Sequence, residues 1–218
     1  MENISVIIPC RNEEKYIESC LTSFIEMDYP KDSLEIILVD GRSEDNTLQI
    51  VKNFQLIYPF IKIIDNPNLF APHAFNIGIK NATSEFIMIA SAHSSFEKNY
   101  ISEVLKALKT LNCAGAGGVL KTDVKNKTKK TLSICKVLSN QFGVGNSKFR
   151  VGTSKPISVD IVPFGIYKKS IFESVGYYNE RLKRNQDMEL SKRMIEKGNK
   201  IFLIPTAKST YFARETYK

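Results

Sequence analysis

The chain has 218 residues, of which 43% are hydrophobic and 25% are charged, values that exclude an intrinsically disordered protein. Its formal net charge of +8 favours anionic partners such as nucleic acid, phospholipid headgroups or phosphorylated small molecules, without choosing among them. The four cysteines form no C-x-x-C pair, which argues against a disulfide framework or a structural zinc site and predicts reduced thiols.

In the first half of the chain, short apolar runs rich in β-branched residues alternate with helical patterns. The predicted strands cover residues 5–9, 34–39, 61–64 and 86–90, and the predicted helices cover residues 14–26, 45–54, 72–80 and 99–111. We expect Ser43 to cap the second of these helices. Strict alternation of strand and helix predicts a doubly wound α/β fold with a mostly parallel sheet flanked by helices.

The second half is less regular. The predicted strands cover residues 114–120, 159–163, 166–167 and 201–204, the predicted helices cover residues 131–142, 171–175 and 186–197, and residues 143–156 are a predicted loop. Residues 121–130 contain five lysines and one aspartate. This basic stretch is either a solvated loop or a loop that faces a phosphate or a membrane.

The sequence shows no pattern typical of a membrane span or a signal peptide. No run approaches the roughly eighteen apolar residues of a membrane span. The first predicted strand begins so early that no room is left for a signal peptide. We therefore expect a cytoplasmic protein. The chain ends at Lys218 without a clear terminating element, which is compatible with a longer native protein.

Three polar clusters follow predicted buried strands, at residues 9–14, 40–47 and 91–93. Ligands of an open parallel sheet bind outside the carboxyl ends of its strands, where these clusters would meet. The sequence therefore predicts one ligand-binding cleft at that edge of the sheet.

The motifs in these clusters resemble those of the inverting family 2 glycosyltransferases, which have the GT-A fold. The resemblance rests on VIIPCRNEE at residues 6–14, VDGRSEDNT at residues 39–47, NPNLFAPHAFNIG at residues 66–78, VPFG at residues 162–165 and RNQDMEL at residues 184–190. It extends over nearly the whole chain and looks closest to the bacterial exopolysaccharide, succinoglycan-type subgroup. The resemblance implies one domain over residues 1–218, with a nucleotide-sugar-binding half at about 1–97 and an acceptor-binding, catalytic half at about 98–218.

The resemblance also implies roles for individual residues. The donor-binding residues are Pro9, Arg11, Glu13, Asp40, Ser91 and Ala92, and the acceptor-side residues are Phe164, Gly165, Gln186 and Glu189. Asp187 is the implied catalytic base, because a weakly nucleophilic acceptor hydroxyl needs a carboxylate to take its proton. Alternative interpretations are a turn or cap residue for Asp40, a helix cap for Asp187 and a salt-bridge partner for Glu189.

The fourth-strand motif departs from most of the family. Most members carry Asp-x-Asp there, and the last acid binds a divalent metal on the pyrophosphate, whereas this chain has Ser91, Ala92 and His93. Neutral imidazole is a competent ligand for Mn²⁺, so we expect His93 to hold Mn²⁺ or Mg²⁺ together with donor phosphates. Alternatively, His93, Arg11 or a basic loop stabilises the diphosphate directly, or His93 is only a polar strand-end residue. His73 is expected to pack or face solvent, with the pyrophosphate as its alternative neighbour.

The expected function is transfer of a hexose, with inversion, from a nucleotide-sugar donor, a UDP-sugar, to a glycan or lipid-linked saccharide in polysaccharide biosynthesis. The basic surface suggests peripheral contact with the inner face of the membrane. A non-catalytic sugar-nucleotide-binding or scaffold subunit is the alternative, because Ser91 replaces an acid. A sugar-phosphate nucleotidyltransferase would need a glycine-rich first loop, which is missing, and no motif indicates nucleic-acid binding.

Overall fold

The computed structural model describes residues 2–145 and 147–213. Its strands are β1 (Ile4–Cys10), β2 (Leu34–Asp40), β3 (Ile61–Asp65), β4 (Phe86–Ile89), β5 (Ser94–Phe96), β6 (Gly115–Asp123), β7 (Ile157–Ser158), β8 (Ile166–Lys168) and β9 (Ile201–Phe212). Its helices are α1 (Ile17–Ile25), α2 (Thr47–Ile57), α3 (Ala71–Asn81), α4 (Tyr100–Leu111), α5 (Lys129–Ser139), α6 (Gln141–Val144), α7 (Lys148–Val151), α8 (Lys169–Val175) and α9 (Gln186–Glu196).

All the described strands belong to one sheet, in the order β3-β2-β1-β4-β8-β6-β9-β5, with β7 paired to β9. Strands β1 to β4 run parallel to one another, and β6 runs parallel to β9. Strand β8 lies antiparallel between β4 and β6, and β5 and β7 are antiparallel to β9. The predicted α/β class with a mostly parallel sheet is therefore confirmed.

Helices cover both faces of the sheet because its strands are apolar on both sides. In β1, Ile4, Val6 and Ile8 face the core that contains α1 and α4, while Ile7 faces the core that contains α3, α8 and α9. This division follows from the strand geometry, in which successive side chains point to opposite faces. All of these β1 side chains are fully buried, so the first polar side chains after β1 are held at a rigid sheet edge.

The predicted strand over residues 159–163 is wrong, because the nearest strand is β7 at Ile157–Ser158. After Val159, whose backbone N–H still donates to the carbonyl of Ile201 at 3.0 Å, the chain leaves the sheet and crosses its end. The hydroxyl of Tyr100 donates a hydrogen bond to the carbonyl of Phe164 at 3.0 Å, and Pro163 has no N–H with which to extend a ladder. This crossing brings residues 161–165 to the carboxyl edge of the sheet.

The basic stretch and the predicted loop contain more regular structure than expected. Strand β6 continues to Asp123, α5 begins at Lys129, and α6 and α7 occupy part of the predicted loop. The predicted helix over residues 131–142 is interrupted at Asn140, whose backbone is extended and whose side chain accepts a hydrogen bond from the N–H of Phe142. We refer to residues 129–145 and 147–151 as the α5–α7 segment.

Strand β9 is much longer than the predicted strand over residues 201–204. Its register with β6 shifts between Gly118 and Val119, which leaves room for the three residues that begin with Pro205. Proline in a strand is tolerated at such bulges. The extension carries Tyr211 to the carboxyl edge of the sheet.

Candidate active site

A cleft of about 580 Å³ opens at the carboxyl ends of β1 and β4. This volume is typical of a small-molecule site. The predicted residues that line the cleft are Pro9, Arg11, Glu13, Ser91, His93, Phe164, Gly165, Gln186 and Asp187. The loops after β1 and β4, residues 161–165 and the start of α9 thus converge on one space. The predicted polar cluster at residues 40–47 does not line this cleft. Asp40, Ala92 and Glu189 are not among the lining residues.

The loop after β1 is fixed by hydrogen bonds to the loop after β2. The backbone N–H of Asn12 donates to the hydroxyl of Ser43 at 3.0 Å, and that of Glu13 donates to the hydroxyl of Thr47 at 2.8 Å. The N–H of Glu14 donates to the carboxylate of Asp45 at 3.1 Å. The two loops therefore form one braced unit that positions Glu13 on the cleft wall.

Asp40 lies beneath this unit, with only 3% of its surface exposed. Its carboxylate accepts hydrogen bonds from the backbone N–H of Ser43 at 3.0 Å and from the Ser43 hydroxyl at 2.6 Å. The expectation that Ser43 caps a helix is wrong, because α2 begins at Thr47 and Ser43 binds Asp40 instead. Contact with a nucleotide base stays a prediction for Asp40. Ala92 is almost completely buried beside the end of β4.

His93 and Glu13 form a half-buried pair on the cleft wall. The Nδ1 atom of His93 lies 3.2 Å from a carboxylate oxygen of Glu13, and the Ser91 hydroxyl lies 3.3 Å from the imidazole ring. The ring also makes an edge contact with Tyr211, with ring centres 5.0 Å apart. His93 thus belongs to a polar and aromatic cluster at the cleft and is more than an isolated strand-end residue.

The donor set at this position suits a metal that takes most of its ligands from a substrate. Imidazole and carboxylate are acceptable ligands for Mn²⁺, and both His93 and Glu13 line the cleft. Among the described residues, however, no group of three or more histidine, cysteine, aspartate or glutamate side chains lies close enough to hold a metal ion. A diphosphate would have to supply the remaining ligands.

Asp187 lies in the first turn of α9, where its side chain is accessible from the cleft. The protein around it removes part of its water shell and raises its pKa, while a hydrogen bond from the hydroxyl of Tyr178 acts in the opposite direction. The N-cap position is occupied by Asn185, which has a φ of 60° and makes no side-chain cap. Asp187 is therefore an accessible carboxylate with an increased proton affinity.

Tyr178 is a site residue that the sequence analysis missed. Burial raises its pKa well above the usual range, so the phenol keeps its proton and donates to Asp187. Its backbone is held by Asn76 of α3, whose side chain accepts from the Tyr178 N–H and donates to the Tyr178 carbonyl, both at 2.9 Å. No local sequence signal connects residues so far apart in the chain.

Glu189 is engaged within α9 and does not reach the cleft. Its carboxylate accepts two hydrogen bonds from Arg193, at 2.6 and 2.8 Å. Arg193 also donates to the carbonyls of Val175, Gly176 and Tyr177, which ties α9 to the end of α8. This geometry matches the salt-bridge alternative for Glu189, and an acceptor contact stays a prediction.

His73 is also paired, since its Nδ1 lies 3.1 Å from the carboxylate of Glu180. The cleft includes further residues that the sequence analysis did not select, among them Phe149, Arg150 and Tyr211. Arginine side chains are mostly exposed in proteins, and the partial burial of Arg150 is not visible in the sequence.

Comparisons with known proteins agree with the fold. The family model described as glycosyl transferase family 2 matches residues 5–176. Dolichyl N-acetyl-alpha-D-glucosaminyl phosphate 3-beta-D-2,3-diacetamido-2,3-dideoxy-beta-D-glucuronosyltransferase of Methanococcus voltae is 34% identical, with an alignment that covers 100% of this chain and 69% of that protein. The succinoglycan biosynthesis protein ExoA of Rhizobium meliloti is 22% identical over 96% of this chain and 63% of its own length.

Solved structures share the fold at lower sequence identity. Staphylococcus aureus TarS 1–349 in complex with UDP-GlcNAc superposes with a TM-score of 0.75 at 21% identity, over 99% of this chain and 60% of that one. GalNAc-T7 with UDP, GalNAc and Mn²⁺ gives a TM-score of 0.80 at 16% identity, over 98% of this chain and 44% of that one. The chain thus spans less than two-thirds of ExoA and of these two solved chains. Its fold is GT-A. Because the family model matches most of its length, this chain is a glycosyltransferase that belongs to family 2.

Proposed function

We propose that this chain transfers a hexose from a UDP-sugar to a saccharide hydroxyl, with inversion at the anomeric carbon. The observation that carries the proposal is the position of Asp187, an accessible carboxylate of raised pKa on the wall of the same cleft as the β1 and β4 loops. In this proposal residues 1–97 bind the donor, and residues 98–218 bind the acceptor and supply the base.

The chemistry is a single displacement. The acceptor oxygen forms a bond to the anomeric carbon as the bond from that carbon to the diphosphate oxygen breaks, and the leaving diphosphate keeps the electron pair. The acceptor hydroxyl proton passes to the carboxylate of Asp187, which acts as general base. A raised pKa makes Asp187 a better proton acceptor than an ordinary aspartate, provided that the pH keeps it ionised.

Support for the substrates comes from relatives. TarS has been solved with UDP-GlcNAc, and the name of the Methanococcus voltae relative describes sugar transfer to a dolichyl-linked glucosaminyl phosphate. On this basis the donor is a UDP-sugar and the acceptor a glycan or lipid-linked saccharide. The donor-side residues are Pro9, Arg11, Glu13, Asp40, Ser91 and Ala92, and the acceptor-side residues are Phe164, Gly165, Gln186 and Glu189.

A divalent metal, Mn²⁺ or Mg²⁺, is part of the proposal. His93 and Glu13 would hold it, since they are adjacent and line the cleft. When bound, the metal neutralises negative charge on the leaving diphosphate. Mn²⁺ in the GalNAc-T7 structure supports this choice of cofactor.

Peripheral contact with an anionic membrane also belongs to the proposal, at the α5–α7 segment. Leu132 and Val137 of α5 point outward with Lys129 and Lys136, and Phe142 of α6 is fully exposed. Apolar side chains interleaved with lysines suit the interface of an anionic bilayer. Within the part of the chain that the structure describes, no helix is long and apolar enough to cross a bilayer.

The test of the transfer reaction is Asp187→Asn. Loss of the general base is expected to lower kcat by about 10²–10⁴-fold, while the affinity for UDP stays nearly unchanged. Steady-state transfer assays with UDP-sugars and polyprenyl-linked saccharides measure kcat, and calorimetric titration measures the affinity for UDP.

Glu173→Gln on the exposed surface of α8 is the matched control, because it removes a carboxylate outside the cleft and should leave both quantities unchanged. Undiminished transfer by Asp187→Asn would remove Asp187 from its role. Donor binding by the wild-type protein without turnover on any acceptor would instead favour the non-catalytic alternative.

A further inference from the structure

The wall of the cleft formed by the α5–α7 segment contains a half-buried cation. Arg150 of α7 lines the cleft together with its neighbour Phe149. Its Nη1 atom donates a hydrogen bond to the hydroxyl of Thr122 in β6 at 2.7 Å, and its guanidinium carbon lies 5.9 Å from the ring centre of Tyr211. These contacts hold the guanidinium in place but supply no negative charge.

Arg150 has no carboxylate partner among the residues that the structure describes. By contrast, Arg11, Arg42 and Arg193 lie within 4.0 Å of Glu44, Asp65 and Glu189 respectively. Burial lowers the pKa of Arg150, which reflects the cost of keeping its charge away from water. A partly buried charge without a counter-charge is unfavourable, so its presence in a ligand-sized cleft indicates an anionic ligand.

The position of Arg150 indicates which anion it meets. The ring of Tyr211 contacts both Arg150 and His93, and His93 in turn contacts Glu13 and Ser91 at the carboxyl edge of the sheet. Arg150 therefore faces the same part of the cleft as the two residues suited to a metal on the donor. Ser91 offers no negative charge to retain that metal firmly. A fixed cation nearby would therefore help to stabilise the negative charge of the diphosphate.

We propose that Arg150 binds the diphosphate of the sugar-nucleotide donor and stabilises its negative charge as it leaves. This inference rests on the proposed function and adds a cationic contact from the second half of the chain. Guanidinium groups suit the role, since they stay charged and bind phosphate oxygens through paired N–H donors. A phosphate on a lipid-linked acceptor has the same chemistry, so the experiment has to separate the two sources.

The experiment compares the wild-type protein with Arg150→Gln and Arg150→Lys by calorimetric titration. The probes are inorganic diphosphate, UDP, uridine and farnesyl phosphate, a short lipid phosphate. Loss of a charge-assisted hydrogen bond is expected to weaken binding of diphosphate and UDP by about tenfold or more in Arg150→Gln, with partial recovery in Arg150→Lys. Uridine, which lacks the diphosphate, is expected to bind equally well to all three proteins.

Lys148→Gln is the matched control, because it removes one positive charge from the same short helix at an exposed position outside the cleft. It should leave UDP affinity unchanged. Equal binding of diphosphate by wild type and Arg150→Gln, or a loss confined to farnesyl phosphate, would overturn the inference. Diphosphate binding that depends on Arg150 without any UDP binding would support the inference and contradict a UDP donor.

Discussion

At Asp187, two opposing effects set the pH at which the proposed base is ionised. The surrounding protein raises the pKa of the carboxyl group, and the hydrogen bond from Tyr178 lowers it because that bond stabilises the charged form. The first effect is larger, so the pKa stays above that of an ordinary aspartate. Activity that needs the ionised carboxylate should therefore be lost as the pH falls through this raised value.

Removing the Tyr178 hydroxyl should make the carboxylate harder to ionise. We expect Tyr178→Phe to move the acidic limb of the kcat–pH profile to higher pH, because only the effect that lowers the pKa of Asp187 is lost. The control is Tyr177→Phe, since the neighbouring Tyr177 ring packs under Lys80 instead. An acidic limb at the same pH in Tyr178→Phe and wild type would show that another group titrates in this limb.

At the scale of secondary-structure elements, the cleft depends on a contact between α3 and the chain that precedes α9. Asn76 satisfies both backbone groups of Tyr178 and also donates to the carboxylate of Glu180 at 2.8 Å. The carboxylate of Glu180 also lies 3.1 Å from Nδ1 of His73. Two side chains of α3 therefore hold the chain that precedes α9. The position of Tyr178, and through it the pKa of Asp187, is thus set by a helix more than a hundred residues earlier.

Replacing this asparagine should affect stability and activity together. In Asn76→Ala the buried N–H and carbonyl of Tyr178 lose their partners, which should lower the free energy of unfolding by about 1–3 kcal/mol. Urea denaturation measures this change, and transfer assays should show a lower kcat. Asn81→Ala, at the exposed end of the same helix, should change the free energy of unfolding far less. Equal stability of the two variants would contradict the structural role of Asn76.

At the scale of the whole molecule, the α5–α7 segment is distinct from the two large cores that cover the sheet faces. Its α5 helix rests on a small cluster of Val124, Ile134 and Ala213. The opposite face of α5, with the neighbouring α6, presents apolar and basic side chains to solvent. Since α7 also reaches the cleft through Arg150, a membrane bound by this segment would lie near the cleft, where the proposed lipid-linked acceptor would enter.

Vesicle flotation tests this arrangement. We expect the protein to bind phosphatidylcholine vesicles that contain phosphatidylglycerol, less so in high salt, because salt screens the lysines. A Leu132→Ser and Phe142→Ser double variant should lose most of this binding. The matched control is Leu56→Ser with Ile57→Ser, which removes another pair of exposed apolar side chains, from α2. No binding by the wild type, or equal losses in both double variants, would contradict membrane contact through α5 and α6.

Local sequence patterns predicted the fold class and two of the loops that meet at the cleft, those after β1 and β4. Buried strands such as β1 and β2 are marked by local apolar runs, and the carboxyl ends of parallel strands necessarily share one edge. Pro9, Glu13, Ser91 and His93 were therefore predictable as neighbours, since each follows a strand that local pattern reveals. The place of Asp187 in the site was implied by the family resemblance. Local pattern failed at residues 159–163, where the chain leaves the sheet and the carbonyls of Pro163 and Phe164 face the hydroxyl of Tyr100.

The contacts of the site residues could not be predicted from the sequence. The carboxylate of Asp40 accepts a hydrogen bond from Ser43 in the following loop, and Glu189 pairs with Arg193. Arg150 and Tyr178 line the cleft although no sequence motif contains them. Such outcomes depend on hydrogen bonds and burial between residues that are distant in sequence, and a local pattern contains no information about them. The raised pKa of Asp187 has the same origin, because it arises from the protein packed around the carboxylate and not from its neighbours along the chain.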